Sequence, residues 1–315
     1  MTILVTGASG FLGSHICKSL SSRNIQYVPV VRGESSFVDC CKIDCVDEST
    51  DWSGALNNIS TIIHCAARVH LMRDLSSDPI TEYRKTNTFG TINLARQAAD
   101  AGVKRFIFIS SIKVNGDSSK PGRPFNKYNE KCPKDCYGIS KAEAESQLLK
   151  IARETGLEVV IIRPTLVYGP GVKANFHSLM NLVYKGLPLP FGSIKNKRSL
   201  VSVLNLVDLI ITCIDHPKAV NQVFLVSDDY DVSTASMVKH MSQALGKSCR
   251  LIPVPLWCYH LVGKVTGKMD VVDRLLGSLQ VDITDTKNTL DWIPPQTLEE
   301  GFKETAEAFL LNRKK

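Results

Sequence analysis

Two side chains four apart raise the first chemical question. In "CYGISKAEAE", Tyr137 and Lys141 stand at the start of a predicted helix, a spacing that puts both on one face. A free tyrosine has a pKa of about 10 and is a poor base at neutral pH. A neighbouring ammonium stabilises the tyrosinate and lowers that value. A tyrosine tuned in this way can give a proton to a substrate carbonyl or take one from a hydroxyl. Lys141 can also hold the ribose of a nicotinamide nucleotide. Upstream, "FIFISS" delivers Ser110 and Ser111 at the C-terminal end of a predicted strand, the ligand edge of a parallel sheet. A serine hydroxyl there can bond the same oxygen and position it.

Something must hold these groups against a cofactor. "VTGASGFLGSHI" places Gly7, Gly10 and Gly13 at three-residue spacing, between an apolar strand (2–7) and a helix (10–22). The first glycine permits the turn, the second lets backbone approach a pyrophosphate, and the third lets helix and strand pack closely. The helix N-terminus then offers free N–H groups and a positive dipole end to the anion. The second strand (25–31) ends in Val31 and Arg32, where such units usually carry an Asp or Glu for a ribose hydroxyl. With the carboxylate absent, Arg32 can pair with an adenosine 2′-phosphate, and Ser35 and Ser36 can add hydroxyl donors. That reading expects NADP(H), with NAD(H) as the alternative; a merely solvated Arg32 is the structural alternative. "CKIDCVD" ends a third strand near Asp44, whose carboxylate can accept the adenine amino group, unless it is a surface loop residue. "HCAA" (64–67) ends the fourth strand in small residues. Asn87, inside "TNTFGT", either bends a helix or holds water at a site.

The larger frame is an α/β chain of 315 residues, 43% hydrophobic and 22% charged. Apolar strands at 60–67, 104–111 and 157–164 alternate with helical patterns at 78–101 and 139–155. This predicts a doubly wound parallel sheet of Rossmann type. We expect residues 1–164 to form the dinucleotide domain, with a strand returning near 222–228. Residues 165–315 are mainly a smaller substrate lobe. The net charge of +7 is spread without a basic stripe, which argues against nucleic acid. No apolar run reaches the roughly 18 residues of a membrane span. No signal peptide is expected, and ten cysteines suggest reduced thiols in the cytoplasm. His64 and His70 read as packed histidines. Cys40, Cys41 and Cys45, and the pair Cys132 and Cys136, lack a second pair at zinc spacing, so no metal is expected. "LWCYHLVGKVTGK" reads as a core segment of the lobe in preference to a membrane-surface helix.

With these motifs in place, the chain resembles the extended short-chain dehydrogenase/reductase superfamily, in its nucleotide-sugar epimerase, dehydratase and reductase branch. "TGASGFLG", "KID", "HCAA", "TNTFGTINLARQA", "ISSIKVNG", "YGISK", "RPTLVYGPG" and "RSLVSVLNLVD" carry the resemblance over nearly the whole length. It implies a triad of Ser111, Tyr137 and Lys141. Ser111 is preferred to Ser110 because it stands four before Asn115, in a slot where the family often has Tyr. Asn115 is therefore a departure from the pattern. The resemblance implies cofactor contacts from Gly7, Gly10, Phe11, Leu12, Gly13, Arg32, Asp44, Cys45, Ala66, Ala67, Asn87 and Pro164, besides Tyr137 and Lys141. It implies substrate contacts from Asn175, Arg198 and Arg274, and a homodimer through helices at 82–101 and 139–155. The resemblance makes dehydratase chemistry less expected, since the family's dehydratases add a carboxylate acid/base just after the serine and here Ile112 and Lys113 follow. The expected activity is NADPH-dependent reduction of a UDP-4-keto sugar at C4, because Arg32 suits NADPH. The alternative is a UDP-hexose or UDP-N-acetylhexosamine 4-epimerase with tightly held NAD. A non-catalytic NADP-sensing protein of the same fold is a third reading; such proteins tend to lose the Tyr-x-x-x-Lys pair kept here.

Overall fold

Side chains alternate between the faces of a β-strand, so a strand that is apolar throughout must be covered on both sides. In the computed structural model, which describes residues 1–35, 37–69 and 78–314, the chain begins with β1 (Thr2–Thr6), α1 (Phe11–Ser22), β2 (Gln26–Val31), β3 (Cys41–Lys42) and β4 (Thr61–His64). Next come α2 (Pro79–Tyr83), a π-helical segment (Arg84–Gly90), α3 (Thr91–Asp100), β5 (Arg105–Ile109), α4 (Cys136–Thr155), β6 (Glu158–Pro164) and β7 (Leu166–Tyr168). Then follow α5 (Ala174–Tyr184), β8 (Arg198–Ser202), α6 (Val203–Thr212), β9 (Gln222–Val226), β10 (Asp231–Val232) and α7 (Thr234–Ala244). The last elements are α8 (Leu256–Thr266), α9 (Met269–Leu276), α10 (Thr284–Leu290) and α11 (Leu298–Lys314). Ser36 and His70 lie outside the described residues.

Seven strands form one parallel sheet in the order β3-β2-β1-β4-β5-β6-β9. Its two covers explain the continuous apolar runs. Ile3, Val5, Ile63 and Ile107 meet Ile16 and Leu20 of α1 and Leu206 and Ile210 of α6. Leu4, Ile62, Phe106 and Phe108 meet Leu94 of α3 and Leu148 and Ile151 of α4 on the other face. Strand order reverses between β1 and β4, so the crevice beyond their C-terminal ends is the ligand position of this fold. A second sheet, β10-β8-β7, packs with α5, α7 and α11 around Tyr168, Phe176 and Phe302.

Several elements differ from expectation. The third strand stops at Lys42, so Asp44 stands beyond its end, exposed. The helix expected at 78–101 is divided by the π-helical turn, whose extra residue keeps Asn87, Thr88 and Thr91 all buried. The segment expected as lobe core is instead the surface helix α8, on which only Tyr259 and Gly263 are buried. It has one packing partner side, a small cluster with Ile194 and Val272, and nothing among the described residues covers the other.

Candidate active site

Backbone geometry at the first turn requires glycine. Gly7 has φ 68°, and a Cβ there would stand 2.8 Å from Ala66 N. A Cβ on Gly13 would stand 2.2 Å from the Gly7 carbonyl, so α1 could not sit this close to β1. Gly10 is the N-cap of α1 and no side chain caps it, which leaves the N–H groups of the first turn facing outward at Phe11 and Leu12. Close backbone and uncapped donors fit the pyrophosphate of a dinucleotide. Beside the turn is a cavity of about 610 Å³, lined in part by Ala8, Ser9, Ser14, Lys18, Ser35 and Phe37. Arg32 lies exposed at the end of β2, followed by Gly33 at φ 72°. Ser35 Oγ accepts from Phe37 N at 3.1 Å.

The other expected cofactor contacts are distributed around this crevice. Ala66 and Ala67 are half-buried just past β4, and Pro164 is buried at the end of β6. Asp44 and Cys45 are exposed, and the Cys45 thiol donates to Asp47 Oδ2 at 3.1 Å. Asn87 is fully buried and its amide is engaged: Oδ1 accepts from Arg68 N at 2.8 Å, and Nδ2 donates to Arg68 O and Ser140 Oγ, each at 3.0 Å. It fastens the chain after β4 to α4.

The reactive cluster sits on α4. Asp135 caps this helix, its Oδ1 accepting from Gly138 N at 2.7 Å. A Cβ on Gly138 would stand 2.8 Å from the Lys113 carbonyl, so glycine lets the helix start press against the turn that carries Ser111. Ser111 Oγ accepts from Lys113 N at 3.2 Å, and its hydroxyl lies near enough to Tyr137 to favour the tyrosinate. Ser110 instead donates to Glu145 Oε1 at 2.6 Å. Of the two serines at the strand end, Ser111 is the one whose hydroxyl acts on the tyrosine, while Ser110 is committed to Glu145.

Charge states differ from the simple expectation. Burial, then the nearby Asp135 carboxylate, pushes Tyr137 up to about 12, although the neighbouring Ser111 hydroxyl works the other way. Lys141 does not produce the expected depression. It is buried, donates to Ile109 O at 2.8 Å and lies 4.3 Å from the centre of the Phe108 ring. Burial draws Lys141 itself down to about 8. His64 is fully buried between Thr6 Oγ1 at 2.7 Å and Thr91 Oγ1 at 3.0 Å, and burial lowers it to about 3, so it is neutral.

Behind the cluster lies a pair that the sequence did not single out. Arg163 Nε and Nη2 donate to the two Glu145 oxygens at 2.8 and 2.6 Å, and Arg163 Nη1 donates to Asn115 Oδ1 at 2.9 Å. Lys131 approaches the same carboxylate at 3.1 Å. Burial raises the Glu145 carboxyl, but Arg163, Lys131 and Ser110 together hold it below its ordinary value. The available signal was spacing: Tyr137, Lys141 and Glu145 follow one another every fourth residue. Asn115, the departure from the family pattern, is buried and partners Arg163.

The expected substrate residues lie on β8, α9 and α5. Arg198 opens β8 and its Nη1 donates to the carbonyls of Arg274, at 2.6 Å, and Gly277, at 3.3 Å. Burial lowers its pKa. Arg274 is exposed on α9, and its Nε donates to Asp270 O at 3.0 Å. Asn175 is exposed in the first turn of α5. Among the described residues no group of three or more His, Cys, Asp or Glu could hold a metal ion, and no helix is long and apolar enough to cross a membrane.

The glycine turn, Ser111, Tyr137 and the buried Lys141 all lie within the stretch of chain that a known family covers. Residues 3–227 match the model of the NAD dependent epimerase/dehydratase family. The chain belongs to that family. It is an enzyme of the short-chain dehydrogenase type, and its sheet is the Rossmann-type sheet of the extended members. It is 58% identical over 313 residues to a Vibrio cholerae UDP-glucose 4-epimerase, covering 98% of this chain and 95% of that protein. It is 28% identical to an Escherichia coli O157:H7 N-acetyl-α-D-glucosaminyl-diphospho-ditrans,octacis-undecaprenol 4-epimerase, covering 99% and 96%. Among solved structures, UDP-glucose 4-epimerase from Thermotoga maritima with UDP-glucose superposes with a TM-score of 0.78 at 25% identity, covering 99% and 100%. These relatives are 4-epimerases. They do not support the NADPH-dependent reductase expected from Arg32; they favour the epimerase alternative.

Proposed function

We propose that the enzyme is a UDP-hexose 4-epimerase working on a resident nicotinamide dinucleotide, with UDP-glucose as the first candidate substrate. The 58% identity to a UDP-glucose 4-epimerase across 98% of the chain carries this reading. The geometry supplies the means. Tyr137 takes the proton of the C4 hydroxyl and later returns it, while Ser111 holds that oxygen in line. With a pKa near 12, Tyr137 needs help to act as a base. Lys141 would be the cation to give it, by exchanging its bond to Ile109 O for one to the phenol. The N–H groups of Phe11 and Leu12, over the closely approached Gly7 and Gly13, hold the pyrophosphate. A nicotinamide held there would supply the acceptor for the C4 hydride and the donor that gives it back, leaving the proton to Tyr137. Arg198 pairs with the sugar diphosphate, a group shared by the UDP-sugars and by the polyprenyl-linked sugar of the Escherichia coli relative.

Arg32 still argues for acceptance of an adenosine 2′-phosphate, so NADP in place of NAD is part of this reading. Nucleotide released from denatured protein tells the two apart. We also expect a dimer through α3 and α4, which a monomer mass by light scattering would remove. All ten cysteines are free, which suits the reducing cytoplasm.

The test has two arms. Incubation with UDP-glucose and no added reductant should yield UDP-galactose by NMR, without accumulation of reduced nicotinamide. Stoichiometric oxidation of NADPH by a UDP-4-keto-6-deoxy sugar, with no epimerisation in the first arm, would replace the epimerase by the reductase.

A further inference from the structure

α8 is apolar on two opposite sides. Tyr259 and Gly263 face inward, with Ile194 and Val272. Trp257, Leu261 and Val265, each four residues apart, form an outward stripe that is 65%, 54% and 79% exposed. Val262, on the same helix, is 59% exposed, and Val271 of the following helix α9 is 51% exposed. A helix that is apolar all round belongs in a protein core or in lipid, and a large exposed apolar patch marks an interaction surface.

Charge selects the occupant. Segments 192–197 and 256–277 carry Lys195, Lys197, Lys264, Lys268 and Arg274 against only Asp270 and Asp273. Lys264 directly precedes Val265, and His260 directly precedes Leu261. Two copies of the chain meeting through this patch about a two-fold axis would bring the same cations together. An anionic lipid surface instead offers headgroups to the lysines and an acyl boundary to the tryptophan and leucine.

We propose that the α8–α9 hairpin docks the enzyme on anionic phospholipid bilayers. Trp257, Leu261 and Val265 enter the interface, while Lys264 and Lys268 pair with headgroups. Because the Arg274 and Gly277 carbonyls accept from Arg198, the docked hairpin is tied directly to the strand that carries the candidate diphosphate arginine. The proposal is independent of the reaction assigned above.

Flotation with vesicles tests it. The full chain should float with phosphatidylcholine vesicles containing phosphatidylglycerol, should not float with phosphatidylcholine alone, and should be released by salt. Trp52 and Trp292 are buried, so a blue shift in tryptophan emission on anionic vesicles reports Trp257. Trp257→Ser with Leu261→Ser, and separately Lys264→Glu with Lys268→Glu, should each weaken partitioning by at least roughly tenfold. Both should keep the wild-type circular dichroism spectrum and cofactor content. Absence of flotation, or flotation unchanged in both double variants, overturns the proposal. So does a loss of self-association in the Trp257/Leu261 variant without any change in flotation, which would make the patch a contact between copies.

Discussion

α4 and α8 use the same spacing for opposite ends. On α4, every fourth residue from Tyr137 through Lys141 to Glu145 is polar and turned into the protein. On α8, every fourth residue from Trp257 through Leu261 to Val265 is apolar and turned out. Each inverts the ordinary partition of polar outside and apolar inside, and each inversion must be compensated. On α4 the compensation lies within the chain: Ile109 O for Lys141, and Arg163 with Ser110 for Glu145. On α8 none of the described residues supplies it. Inverted polarity that is satisfied internally thus marks chemistry, and inverted polarity left unsatisfied marks a surface awaiting something else.

The comparison can be broken by substitution. Tyr137→Phe removes only the hydroxyl, so turnover should fall roughly 10²–10⁴-fold while cofactor affinity is unchanged. Retention of a tenth of the wild-type rate in single-turnover measurements would remove Tyr137 from the chemistry. Glu145→Ala leaves the Arg163 guanidinium buried without its carboxylate and should cost about 3–5 kcal/mol in denaturant unfolding. A loss under about 1 kcal/mol would show that Arg163 reaches water. Trp257→Ser, by contrast, should alter stability by no more than about 0.5 kcal/mol, as for an ordinary surface position. A larger loss would show that the α8 stripe is covered within the chain after all.

A pH series sharpens the same contrast on the interior side. His64 has a folded pKa of about 3 against an ordinary 6.5, so the unfolded chain binds more protons between these values. Its contribution to stability is fully present above about pH 6.5 and is lost as pH falls towards 3. His64→Gln should flatten that part of the unfolding free energy against pH curve. An unchanged slope would mean that other groups cause the acid sensitivity.

The sequence reading went furthest where one local segment decides the geometry. Gly7, Gly10 and Gly13 stand in a single turn, and the Tyr137–Lys141 interval is a property of one helix. The places of β1, β2, β4, β5 and β6 along the chain also follow from apolar runs, since both faces of the sheet are covered. What escaped depends on partners distant in the chain. Arg163 reads as the polar residue ending an apolar strand until β6 sets it against Glu145. The elevated Tyr137 follows from burial and from Asp135, whereas spacing alone pointed to Lys141 and a depressed value. α8 looked like core because its composition is that of a core; among the described residues no second packing layer covers it, and that puts it on the surface. Arg32 pointed to a reductase because a single charge at a strand end says nothing about the rest of the reaction.

The π-helical turn at Arg84–Gly90 has a consequence for how this chain tolerates changes in length. It holds one residue more than an α-helix needs over that span. Deleting any one of these residues would restore regular helical hydrogen bonding, and the deletion would look harmless in a helix lying against the sheet. Yet everything after it would rotate by about 100° relative to everything before it. Thr91 would leave His64, and Asn87 could no longer span Arg68 and Ser140. Here the reading frame of the helix matters more than the identity of most residues in it: substitutions at its exposed positions, such as Phe89, should be absorbed, while a shortening by one residue should not.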